Sequence, residues 1–134
     1  MKKLITTLLL FSLFNVGFSQ VHKWRASVFS SRHTSYNNTW TDWTPWSTSG
    51  VLITADPTNQ RVKVFSSTPQ TYDMIENVVQ GSDNSGNPIY SVMCVDENAT
   101  RCKMIWYHSA NDGSFVILEF SNLELMYKVV PLDN

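Results

Sequence analysis

From residue 51 to the C-terminus the chain is a succession of short runs in which branched or aromatic residues alternate with polar ones, each run closed by turn chemistry. Residues 51–55 lead through Asp56-Pro57-Thr58-Asn59 into Arg61-Val62-Lys63-Val64-Phe65, which predicts a hairpin. Residues 70–79 read as a further strand, although 74–79 suit a short helical turn equally well. Residues 81–87, rich in Gly, Ser and Asn, are loop by composition. Strands are then expected over 88–96, 101–109, 115–120 and 125–130, and residues 21–29 supply a first one.

Every joint in this series is short. Short joints between successive strands favour antiparallel neighbours, so the pattern predicts an all-β meander of about seven or eight strands. An open sheet of that size leaves an apolar edge and an uncovered face. The expected fold is therefore a small up-and-down barrel, with a two-layer β-sandwich as the alternative. The strand count resembles that of the small lipid-carrying barrels, but Trp24 is preceded by His22-Lys23 where that family has Gly-x-Trp, and no function follows from the likeness.

Two cysteines fix one register. If Cys94 faces Cys102 across a hairpin turning at 96–100, Val92 faces Met104 and Tyr90 faces Trp106, all on one side of the ribbon. Arg101, Lys103 and Ser91 fall on the other side, together with Met93, Val95, Ile105 and Tyr107, so that side is not purely a solvent face. A structural disulfide between Cys94 and Cys102 is expected, on the premise that the pair occupies a closely spaced rung. The three-residue turn ordinarily takes glycine where this chain has Ala99.

The segment Trp40-Thr41-Asp42-Trp43-Thr44-Pro45-Trp46 sets three indoles at a strict three-residue spacing. A polyproline II stretch has three residues per turn and would put all three rings on one face, and Pro45 pushes Thr44 toward that conformation. Such a ladder can take cations between its rings, with Arg25, Arg32, Arg61 and Lys63 as candidates. The arrangement resembles the tryptophan ladder of thrombospondin type 1 repeats over about seven residues, and it departs from that family in lacking the six cysteines and the regular arginine strand. Trp40, Asp42, Trp43 and Trp46 form the candidate ligand-binding set: indoles as a platform for a sugar or other flat ligand, with Asp42 and the threonines as hydrogen-bonding groups. The structural alternative is that the indoles seal the barrel.

The N-terminus decides the cellular setting. Met1-Lys2-Lys3 is a short basic start, residues 4–14 are apolar but for threonines and a serine, and Gly17-Phe18-Ser19 offers small residues to a signal peptidase. Residues 1–19 are read as an export signal of bacterial type and 20–134 as a single β domain, periplasmic or secreted, with no membrane anchor. Of the 10 Lys and Arg residues, two leave with the signal, so 8 against 11 acidic residues give about −3. No basic run survives, and nucleic acid and anionic membrane are not expected partners.

Catalytic and metal chemistry find little support in the sequence. Ser30, Ser31 and His33 lack a nucleophile turn. Asp73 with Glu76 and Asp96 with Glu97 read as solvated turn carboxylates rather than a facing pair. Three scattered histidines give no closed metal set. A Gln20-Val21-His22 terminus would place an imidazole third from a free amine, a copper-binding arrangement that cyclisation of the glutamine removes. Asn37 and Asn98 match the N-glycosylation pattern by chance in a bacterial export product. The expectation is a non-catalytic binding module without a cofactor, taking a small apolar or carbohydrate ligand. The alternative is a protein-interaction or inhibitor domain using residues 30–49.

Overall fold

The computed structural model describes residues 21–132, and the expected export signal at 1–19 lies outside the described residues. The strands are β1 (His22–His33), β2 (Ser47–Thr48), β3 (Leu52–Asp56), β4 (Arg61–Phe65), β5 (Gln70–Met74), β6 (Val79–Ser82), β7 (Pro88–Val95), β8 (Arg101–Ser109), β9 (Gly113–Glu119) and β10 (Leu123–Pro131). Eight of them close an antiparallel barrel in the order β1-β3-β4-β5-β7-β8-β9-β10, while β2 adds to β1 and β6 to β7. Closure is by β10 returning to β1, from Trp24 opposite Pro131 to His33 opposite Leu123. That pairing removes the free edges a sandwich would keep.

Alternation along each strand sends one set of side chains inward. Ile53, Val62, Val92, Met104, Val116 and Leu118 are wholly shielded, and Trp24, Trp106 and Tyr127 pack around them. The barrel interior is thus occupied by its own side chains, as small eight-stranded barrels allow. Where the turns are tight the sequence supplies the chemistry. Asp83 accepts from the Ser85 and Asn87 amides at 2.8 and 2.9 Å, and Asp56 accepts from Asn59.

Two elements differ from the sequence expectation. The strand read over 70–79 is divided. β5 pairs Asp73 with Val95 and Met74 with Cys94, whereas β6 resumes with Val79 opposite Ser91, so two extra residues stand between the two registers. The intervening residues 75–78 include Glu76, whose carboxylate accepts the Met93 amide proton at 3.0 Å in place of a strand partner. β1 runs to His33 rather than ending at 29, because both β10 and the chain that follows β1 supply partners there.

The disulfide expectation is corrected. The register is the one read from the sequence, with Cys94 opposite Cys102, Val92 opposite Met104 and Tyr90 opposite Trp106, yet both cysteines are free thiols. The reason is the parity of the ladder. The Asp96 amide donates to the Thr100 carbonyl at 3.0 Å, which makes 96 and 100 a hydrogen-bonded rung. Hydrogen-bonded and non-bonded rungs alternate, so Cys94 and Cys102 also occupy a bonded rung, the wider kind, and the closely spaced rungs fall one residue away. Both thiols are buried. The hydrogen bond shared between the two sulfurs, reinforced by burial, pushes the Cys94 thiol up and draws that of Cys102 down. Alkylation of the folded, unreduced protein should reach neither thiol and denaturation should expose both. A denatured chain that takes no alkylating group would contradict this.

Candidate binding surface

The chain after β1 turns at Asn38, in the left-handed region at φ 58°, and runs back alongside β1. Its attachments form a ladder that becomes a regular strand only at β2. Thr41 N–H donates to the His33 carbonyl, Thr44 N–H to Ser31, and Ser49 N–H to Ser27, at 2.8 to 2.9 Å. Threonine hydroxyls reinforce it, since Thr44 Oγ1 accepts from the Ser31 amide at 3.0 Å and Thr41 Oγ1 from the His33 amide at 3.2 Å. Ser30 is buried at 3% exposure, and its hydroxyl donates to the Thr44 carbonyl at 2.6 Å. The hydroxyls of the threonines between the indoles thus bond the backbone of β1.

This attachment brings the tryptophans over the outer side of β1. The Arg32 guanidinium lies 4.9 Å from the Trp40 ring centroid and 4.8 Å from that of Trp43, a cation between two indole faces. The same guanidinium makes two hydrogen bonds of 3.1 Å to Glu124, its cross-strand neighbour on β10. Of the four candidate cations, Arg32 is the one between the rings. Arg25 donates instead to the Gly50 carbonyl, Arg61 pairs with Asp73 at 3.5 Å, and Lys63 lies on β4.

Trp46 is placed differently. It is 50% exposed and, with Val28, Phe115, Lys128 and Asp112, lines an open cleft of about 380 Å³. Asp42 is exposed and does not join these residues. The carboxylate present at the cleft is Asp112, from the turn before β9.

The cleft opens onto a wider apolar band on the outside of the barrel. One outward row runs from Val28 through Lys128, Phe115 and Tyr107 to Ile89, and the next from Ser30 through Met126, Ile117 and Ile105 to Ser91 and Val79. At the strand spacing the band is about 20–25 Å long. Tyr107 and Phe115 stack with centroids 5.3 Å apart, and Phe115 is buried although it lies outside the core cluster. Along one side the band is bordered by Arg32, Glu124, Glu119 and Lys103, all from outward positions of the next row.

No known protein family, curated protein or solved structure matches this chain. Function is therefore argued from the surface itself. Of the four carboxylates considered for acid–base work, Asp96 accepts the Asn98 and Thr100 amides at 2.9 Å, Glu76 accepts that of Met93, Asp73 pairs with Arg61, and Glu97 is exposed. Among the described residues no three His, Cys, Asp or Glu side chains converge on a common point. No helix among them is long and apolar enough to cross a membrane. His22 stacks on Trp24 at 5.7 Å at the start of β1, where burial lowers its pKa.

The Trp-rich segment was visible in the sequence, but its partners were not. Glu124, Phe115, Asp112 and Lys128 reach it only through the β1–β10–β9 register. A signal for the band did exist, in the apolar residues Met93, Ile105 and Tyr107 on the side of the β7–β8 ribbon opposite the cysteines.

Proposed function

We propose that this protein is a non-catalytic binding module that engages a protein partner through the outer apolar band, with Trp46 as its anchor. The observation that carries the reading is a filled barrel interior beside a largely apolar outward surface, interrupted by Lys128 and Ser91. A ligand carrier of this fold would keep a void, whereas an interaction domain packs its core and exposes an apolar patch. The composition of the band is that of an interface centre, with aromatic, Met and Ile side chains inside and Arg32, Glu124, Glu119 and Lys103 at the rim.

The test is native mass spectrometry of the protein purified from the cells that produce it. The reading expects a complex with a second polypeptide that is lost in Trp46→Ala and in Ile117→Lys, both outward substitutions that leave the core intact. A bare monomer, or a complex indifferent to both substitutions, would overturn it.

One observation favours a second reading. Asp112 and Lys128 stand beside Trp46 and Phe115, and aromatic walls with a few polar groups also suit a carbohydrate or other small ligand. In that case a small mass, not a polypeptide, would leave on Trp46→Ala.

A further inference from the structure

On the side of the barrel away from the apolar band, the outer face of β1, β3 and β4 is cationic. Trp24 and Ala26 point into the core, so alternation turns Lys23 and Arg25 outward from β1. In the same way Thr54 projects from β3, and Arg61, Lys63 and Phe65 from β4. Lys23 and Lys63 both stand directly opposite Thr54, one on each side of it, about 10 Å apart at the backbone. Neither makes a salt bridge among the described residues. Arg61, by contrast, faces Asp56 and pairs with Asp73.

A cleft of about 350 Å³ lies here, lined among others by Thr54, Asp56, Asn59, Lys63 and Phe65. Phe65 presents a ring that is 46% exposed. Hydrogen bonds from the Asn59 side chain, at 2.7 Å, and from its amide hold the Asp56 carboxyl below the usual carboxylate range, so Asp56 is charged.

This lining selects a class of ligand. Within the cleft Lys63 is unpaired while Arg61 is engaged with Asp73, and Lys23 stands outside the lining across Thr54. These two lysines favour an anion, while charged Asp56 repels a bare one such as phosphate at the same cleft. Asp56, Asn59 and Thr54 suit hydroxyl groups, and an exposed aromatic ring suits the apolar face of a sugar. We propose that the β1–β3–β4 face is a second binding site, for a carboxylated polysaccharide. The sugar ring rests on Phe65, its hydroxyls meet Asp56 and Asn59, and its carboxylates lie between Lys63 and Lys23. The site is independent of the Trp46 surface. It has no linear signature, because its cations come from two strands distant in sequence, β1 and β4, and never form a run.

The experiment is calorimetric titration of the mature protein with oligogalacturonate and with a neutral maltooligosaccharide of equal length. The uronate oligomer should bind and the neutral one should not. Lys63→Gln and Phe65→Ala should each weaken binding about ten-fold, while Lys63→Arg retains most of it. Trp46→Ala should leave it unchanged, which separates this site from the apolar band. The proposal is overturned if oligogalacturonate does not bind to wild-type protein of native circular dichroism. It is equally overturned if Phe65→Ala has no effect, or if inorganic phosphate or phosphatidylglycerol vesicles compete as well as the uronate, since those results would reduce the face to a nonspecific anion surface.

Discussion

Trp40 and Trp43 belong to the same three-residue repeat as Trp46, yet they meet different surroundings. The first two hold Arg32 between their rings, and Arg32 in turn holds Glu124 with two 3.1 Å bonds, so indole, cation and carboxylate satisfy one another. Among the described residues no cation stacks on Trp46, which lies half exposed over the cleft beside Phe115 and Lys128. The difference teaches that the spacing specifies a ladder while the strand beneath each rung decides its purpose. Where β1 offers Arg32 the rung fastens the segment, and where it offers Val28 the rung stands over an open cleft.

The comparison can be broken most severely at the fastened end. Arg32→Ala strands Glu124, which is 12% exposed, and unstacks two indoles, so about 2 kcal/mol of stability should be lost. The Thr41 and Thr44 amides should exchange faster with solvent deuterons than in wild type, which hydrogen-exchange mass spectrometry would detect. Lys at the same position should restore only part of the loss, since a point charge cannot make the two-bond contact. Trp46→Ala should cost about 1 kcal/mol or less in urea unfolding, with the Thr41 and Thr44 amides unaffected.

A smaller effect probes the hairpin that carries the other half of the band. Ala99 sits at φ 62°, a left-handed conformation that costs an L-residue about 1 kcal/mol, so Ala99→Gly should raise stability by a fraction of that in chemical denaturation. The smallest effect is electrostatic. Burial lowers the His22 pKa, so the unfolded chain binds this proton more readily than the fold does. Stability from this group is present above the unfolded value near 6.5 and is lost as pH falls through the lower folded value. His22→Gln should flatten the melting temperature over that window.

Much of the barrel was legible because its determinants are local. The β7–β8 register follows from two cysteines and one turn, and the short joints between strands leave the meander as the economical topology. The hydrogen-bonding parity of that hairpin was not legible. It depends on Ala99 taking a left-handed conformation and Asp96 bonding Thr100, and it is what moves the cysteines to the wider rung. The division of residues 70–79 was hidden for a similar reason, since Glu76 replaces a strand partner with its own carboxylate. In the candidate surface, the indoles were legible from their spacing. Arg32 could not be chosen among four cations until β10 brought Glu124 beside it, 92 residues further along the chain. The separation of Lys23 from Lys63, joined only through Thr54, conceals the cationic face in the same way.

The most direct test of the contrast within the ladder is photo-crosslinking in the producing cells, with a benzophenone-bearing phenylalanine placed at position 46 in one variant and at position 40 in another. The account predicts one discrete cross-linked polypeptide from position 46 and none of that mass from position 40, where the ring is engaged with Arg32. Equal capture from both positions, or capture from position 40 alone, would contradict it.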